Sequence, residues 1–318
     1  MPFSEKILRR AERGLLPSGL HRKESEAGES LSPPRILLFG LVATAITYLV
    51  AWIGFVILED RFPTTPLSIW RRWDALHYIA IARDGYGTDA AREMLAIWPP
   101  LYSWCIRLLA PVAGGYHEAG LVLSGLFYLG TILALYRLAA LDFPERVANR
   151  AVVYLTLFPT AYFFHAAYSE ALFAMLVLGS FLAARHGRWG LAGVAGGLAA
   201  MTRVTWVALL AALIIEYAIQ KEFRWRKLRW DGAFLLLLPL GFCVFLGINQ
   251  HVYGDPLHFM EVQRSVMGKR LAPPWVGAHP RRLPRAGPAR ARPSRARPPR
   301  PRAARAAPAA ASSTPWPR

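Results

Sequence analysis

The chain has 318 residues, 54% of them hydrophobic and 18% charged, with a mean hydropathy of +0.26. Soluble domains average about 25% charged residues, so the composition excludes an ordinary soluble globular protein and points to an integral membrane protein. The formal net charge of +18 does not describe the apolar body, because more than half of the excess lies beyond Val276.

In chain order, residues 1–35 form a polar segment with Lys6, Arg9, Arg10, Arg13, Arg22, Lys23 and Arg35. Positive charge beside a first span places this end in the cytoplasm. "ILLFGLVATAITYLVAWIGFVIL" (Ile36–Leu58) is long enough to cross a hydrocarbon core of about 30 Å. It is too long for the apolar core of a secretory signal, and no small-residue cleavage site follows, so it is read as an uncleaved first helix.

"WRRWDALHYIAIARDGY" (Trp70–Tyr86) then falls on the outer side. It reads as one amphipathic helix lying at the interface. Trp70, Trp73 and Tyr78 are its interfacial aromatics, Arg71, Arg72 and Arg83 its lipid-phosphate contacts, and Gly85 its stop. Asp74 and His77 are three residues apart and share a face. For Asp74 two readings stand: an N-cap, or a general base at the membrane surface. His77 is either a polar tip at the interface or a group that orients Asp74 or a phosphate.

"IWPPLYSWCIRLLAPV" (Ile97–Val112) is short, carries two prolines near its start and contains Arg107. The runs Ala119–Leu141, Ala151–Tyr168, Ala171–Ala184, Gly190–Met201, Val204–Ile219 and Ala233–Ile248 are clearer. Several are too short for a straight crossing and must tilt, thin the bilayer or re-enter. If Ile97–Val112 does not cross, the basic stretches Arg185–Arg188 and Gln220–Trp230 both fall inside, as positive charge prefers. That parity is expected here. It puts "WDALHY", "AAYSEA" (Ala166–Ala171), "MTRVT" (Met201–Thr205) and "YGDPLHF" (Tyr253–Phe259) on one outer face.

Each polar island has a plain reading and a functional one. Glu170 is either a costly carboxylate kept for function or part of a solvated turn capped by Ser169. Arg203 either snorkels to the interface or supplies a fixed cation for a phosphate. Asp255, in Gly-Asp-Pro, reads as a turn residue. Cys105 and Cys243 lie in apolar runs and read as buried free thiols. No phosphate-binding glycine loop, dinucleotide fingerprint or metal motif is present, so no cofactor or metal is expected.

From Val276 the sequence is built mainly from Arg, Pro and Ala, with no acid. Such a segment cannot bury enough apolar surface to fold and reads as a disordered tail. The abrupt change after "APPW" fits an out-of-frame reading of a GC-rich gene. The expected organisation is therefore a cytoplasmic segment 1–35, a transmembrane body 36–275 and a tail 276–318. The fold class is all-α, a polytopic transmembrane helical bundle.

"WDALHYIAIARDGY" resembles the first outer loop of the PIG-V-like (GPI mannosyltransferase II-like) mannosyltransferases, polytopic glycosyltransferases of GT-C type. "WPPLYSWCIRLLAP", "FPTAYFFHAAYSEALFAMLVLGSFLAARHGRWGLAGVAGGLAAMTRVTWV" and "YGDPLHFMEVQ" with "APPW" are similar to that family's later landmarks, in order, over Ile36 to Trp275. The resemblance implies a GT-C bundle whose long first outer loop carries interfacial helices. It implies transfer of a hexose, typically mannose, from a polyprenyl- or dolichyl-phosphate carrier to a lipid-linked or glycan acceptor, with inversion, on the extracytoplasmic or lumenal face. The membrane would be the plasma membrane in a bacterium and the endoplasmic reticulum in a eukaryote. Asp74 takes the place of the family's loop-one acid and His77 that of its neighbouring histidine. Tyr168, Ser169, Glu170, Thr202 and Arg203, with Arg72, are expected near the donor phosphate. Donor, acceptor and membrane lipids are the expected partners; nucleic acid is not. Val204 stands where the family commonly has proline, and family members continue with further membrane helices where this chain has its tail. The rivals are a truncated or non-catalytic carrier-binding protein, and a transporter, for which no internal repeat is found.

Overall fold

The computed structural model describes residues 33–57 and 66–265, apart from the side chains at 66 and 225. The expectations for residues 1–32, for "APPW" and for the tail fall outside them. Every regular element among the described residues is helical. In chain order they are α1 (Pro33–Ile57), α2 (Asp74–Asp84), α3 (Ala90–Glu93), α4 (Leu101–Ala113), α5 (Tyr116–Asp142), α6 (Glu145–Leu157), α7 (Glu170–Arg185), α8 (Trp189–Ala200), α9 (Trp206–Gln220), α10 (Leu237–Tyr253) and α11 (His258–Ser265). Short 3-10 turns join several of them, and the one at Trp230–Leu236 runs directly into α10.

Three of these segments are long and apolar enough to cross a membrane: Pro33–Ile57, Tyr116–Asp142 and Trp230–Tyr253. α1 is apolar on every side, and its Leu38, Val42, Leu49, Val50 and Ile53 are exposed. In water that surface would be untenable; in lipid it is solvated by acyl chains. α5 carries its charges only near its ends, with none in the stretch 119–136.

The bundle packs α5 against α4, α6 and α7, and α8 against α7 and α10. The α8–α10 contact depends on absent side chains. A Cβ on Gly241 would collide with the carbonyl of Gly197. In a bilayer, where burying apolar area between helices gains little, such close backbone approach supplies the packing energy.

Three expectations are corrected. Trp70–Tyr86 is not one interfacial helix. A 3-10 turn, Pro66–Trp70, comes first, and α2 starts only at Asp74. The apolar face of α2 is covered by protein: Tyr78, Ile81 and Ala82 pack into a core with Tyr102, Ile106 and Phe245. Tyr78 and Trp70 are therefore buried core residues, and Trp73, 68% exposed, remains the outward aromatic. Ala151–Tyr168 is not one run of helix either. α6 ends at Leu157, because Pro159 pushes the preceding Phe158 into an extended conformation (ψ 136°). The chain then folds back through a 3-10 turn at Ala161–Phe164. Finally, Cys105 is half-buried and Cys243 is exposed, on a face of α10 that core residues such as Phe245 do not share.

The fold-back buries His165, 2% exposed, with its ring against Tyr128 (4.6 Å) and Tyr48 (6.4 Å). Its carbonyl accepts from the Tyr48 hydroxyl at 2.9 Å. Its Nδ1 has no partner among the described residues. Burial holds the imidazole pKa down at about 4, from an ordinary 6.5. Between those values the unfolded chain binds a proton that the folded chain refuses, so stability falls as the pH drops through that window. The loss is expected to be on the order of 2–3 kcal/mol by pH 4. Thermal unfolding in detergent at pH 7 and pH 4.5 checks this: His165→Gln should lose less Tm on acidification than the unaltered chain.

Candidate functional site

Strand-free loops bring three of the polar islands together at one end of the bundle. Leu101 N–H donates to Met201 O at 3.1 Å, pinning the Pro99–Pro100 turn to the "MTR" segment. His117, in the first turn of α5, bonds Leu67 O through Nε2 at 3.0 Å and fixes the approach to α2. Tyr168 O–H donates to Arg72 O at 3.1 Å. The α5, α2 and α7 ends thus share one polar floor.

Asp74 opens α2. The residue before it, Trp73, sits at φ 47°, ψ −125° and makes no side-chain cap. A bulky residue at positive φ is an outlier and costs on the order of 1–3 kcal/mol. Asp74 is therefore the first helical residue, not the N-cap, and the capping reading does not describe it. Its carboxylate is half-buried and makes no hydrogen bond or ion pair among the described residues.

Asp74 lines a cavity of about 220 Å³ together with Tyr78, Trp98, Thr202, Arg203 and Gln263. Arg203 is held from behind. Its Nη1 lies 2.7 Å from Glu170 Oε1 and donates to Ser169 Oγ at 3.3 Å. Ser169 Oγ also bonds the buried Tyr78 hydroxyl at 2.7 Å. Ser169 is fully buried, so the solvated-turn reading of this segment is corrected: the serine is the hub of a Tyr78–Ser169–Arg203–Glu170 network. Burial, foremost, pushes the Tyr78 phenol far above its ordinary range, so it stays a neutral hydrogen-bonding group. The second oxygen of Glu170, Oε2, is buried without a partner among the described residues. A buried carboxylate oxygen in that state is an open acceptor.

The other sequence-based candidates divide. Thr202 lines the cavity, yet its hydroxyl donates to Ala199 O at 2.6 Å and closes the end of α8. His77 stacks on Trp98 with ring centroids 4.1 Å apart. Burial lowers the His77 pKa below its ordinary value, and neighbouring Asp74 only partly opposes this, so the ring is neutral at pH 7. Arg72 and Tyr168 line a different space, an apolar groove of about 570 Å³ between the 70–73 loop and α1. That groove adjoins the cavity through consecutive residues, Arg72 and Trp73 on one side and Asp74 on the other. Asp255 accepts from Leu257 N–H at 2.9 Å, as a turn residue does.

Sequence reasoning missed Tyr78, Trp98 and Gln263. Tyr78 is one helical turn beyond Asp74, a spacing that could have flagged it. Gln263 lies in "MEVQ", which follows the fourth island. Among the described residues no cluster of three His, Cys, Asp or Glu side chains suits a metal ion. Tyr78→Phe is expected to cost about 1–2 kcal/mol, the worth of a buried hydrogen bond whose partner is left behind. A fall in Tm without loss of membrane insertion would show it.

A family model described as dolichyl-phosphate-mannose-protein mannosyltransferase matches residues 98–248. A curated relative, GPI alpha-1,6-mannosyltransferase 2 of Rattus norvegicus, is 29% identical over 182 residues, or 55% of this chain and 34% of the relative. Over these residues the chain is similar to mannosyltransferases, and the family model covers just under half of it. The chain spans about a third of the length of that rat relative. No solved structure matches it significantly. The three long apolar helices mark an integral membrane protein. The family match begins at Trp98, so it includes Glu170 and Arg203 and leaves Asp74 to be judged by geometry.

Proposed function

We infer that the chain transfers mannose from a polyprenyl- or dolichyl-phosphate carrier to a hydroxyl of a lipid-linked or glycan acceptor, on the outer or lumenal face. The observation that carries the reading is the pairing of Asp74 and Arg203 in one cavity: a carboxylate without a partner among the described residues, and a guanidinium held by Glu170 and Ser169. The descriptions of the matched family and of the rat relative supply mannose and the lipid phosphate donor.

The chemistry is a single displacement. The acceptor oxygen bonds to C1 of the sugar as the C1–O bond to phosphate breaks, which inverts that carbon. Asp74 takes the hydroxyl proton, and the electron pair leaves with the carrier phosphate. Arg203 stabilises the charge that grows on that phosphate. No acid is needed for the leaving group, so one catalytic carboxylate suffices, unlike the two-carboxylate hydrolases. Neutral His77 serves as a hydrogen-bonding partner, not as a cation. The apolar groove beside Arg72 accepts the first isoprene units of the carrier.

Membranes containing the chain, supplied with radiolabelled polyprenyl-phosphate-mannose and a native lipid extract, test the reading. Label should move to a new product from the lipid donor. Transfer from GDP-mannose in carrier-depleted membranes would overturn the donor assignment. No transfer at all, with the protein inserted, would favour a non-catalytic carrier-binding role.

A further inference from the structure

A second groove, of about 520 Å³, lies between the last turns of α5 and α7 and the start of α8. α5 has no charge between Glu118 and Arg137, a rise of roughly 28 Å at the helical pitch. That matches a hydrocarbon core of about 30 Å. The first turns of α5 contact the loops around the Asp74 cavity, through His117–Leu67 and through Ser124, whose hydroxyl reaches Tyr168 O at 3.4 Å. The last turns carry Arg137 and Asp142. A crossing α5 therefore puts the cavity and this groove at opposite faces of the membrane.

The groove has an apolar wall of Ala140, Leu141, Leu182 and Leu191, and a basic rim of Arg137, His186 and Arg188. Among the described residues no carboxylate lines it. The nearby acids are already engaged. Asp142 holds Arg185 at 2.5 Å, Glu216 lies 3.6 Å from the same arginine, and Glu145 accepts from Tyr136 at 2.6 Å. The guanidiniums of Arg137 and Arg188 make no hydrogen bond or ion pair among the described residues, and both are exposed. Two uncommitted cations above an apolar channel, at headgroup height, are complementary to a phosphate carrying an acyl chain.

We propose that this groove binds an anionic phospholipid of the leaflet opposite the Asp74 cavity, with its phosphate between Arg137 and Arg188 and one acyl chain along Leu141, Leu182 and Leu191. A free phosphate would leave that wall empty, and a zwitterionic lipid would bring an ammonium to a rim that already carries two positive charges. The proposal depends on α5 crossing the bilayer and not on sugar transfer, so it can fail or hold separately from the activity.

Native mass spectrometry of the purified full chain in detergent, titrated with phosphatidylglycerol or phosphatidylcholine, is the test. Phosphatidylglycerol should be retained preferentially. Arg137→Ala with Arg188→Ala should weaken it about 25-fold, since each guanidinium near a charged headgroup is worth roughly fivefold. Arg92→Ala, which removes an equal charge from an arginine paired with Asp89, should change nothing. If the double variant does not fold, the single variants Arg137→Gln and Arg188→Gln carry the test, each with about a fivefold loss. Equal retention of both lipids, undiminished binding by the variants, an equal loss in Arg92→Ala, or displacement by millimolar inorganic phosphate would each overturn the proposal.

Discussion

Asp74→Asn is expected to lower the rate of mannosyl transfer by at least about 100-fold while leaving the amount of inserted protein unchanged, because a positioned general base contributes roughly 10²–10⁴-fold. The substitution keeps the side-chain shape and removes only the ability to take a proton. The plain alternative is that Asp74 serves to start α2. As the first helical residue it gains from the helix dipole, worth about 0.3–1 kcal/mol. It makes no side-chain hydrogen bond among the described residues that asparagine could break. A structural role therefore predicts a small Tm change with normal turnover. The catalytic role predicts normal Tm with turnover lost. Initial rates with saturating labelled donor, beside a melting curve of the same preparation, separate the two. A variant keeping more than about a tenth of the rate would sink the base assignment.

The second large effect belongs to Arg203. Arg203→Ala is expected to reduce kcat by about 10²–10³-fold, the usual loss when a preorganised group facing developing charge is removed. The fall should appear in kcat more than in donor KM, because the carrier phosphate gains charge chiefly as the glycosidic bond breaks. Arg203→Lys should recover only part of the activity. One guanidinium nitrogen reaches Glu170 at 2.7 Å and Ser169 at 3.3 Å, leaving others of the planar fork for a phosphate. A lysine ammonium cannot reproduce that division of donors. If instead KM rose and kcat were untouched, Arg203 would be a ground-state binding residue and the leaving-group role would be lost.

Which parts were legible in the sequence follows from where the information lies. The long spans are written in local composition, so Ile36–Leu58 and Ala119–Leu141 match α1 and α5 closely, with Leu58 itself outside the described residues. Arg203 and Glu170 stood out because charge in an apolar setting needs a reason, and the fold pairs them. The Ala151–Tyr168 run misled because its hydropathy continues across Pro159, while a backbone clash at that proline ends the helix. Tyr78 was misjudged for a different reason. Its aromatic ring suits an interface as well as a core, and only Ser169, 91 positions along the chain, decides between them. Trp73 carries a positive φ that no local preference of tryptophan would suggest.

One contact bears on how this site can diversify. The phenol of Tyr168 grips position 72 through its main-chain carbonyl, an atom every amino acid possesses. The backbone leading to Asp74 is thus held by an atom that no substitution at 72 removes. Under the proposed reaction, a change of side chain at 72 alters the mouth of the α1 groove and leaves that main-chain hold beside Asp74 in place.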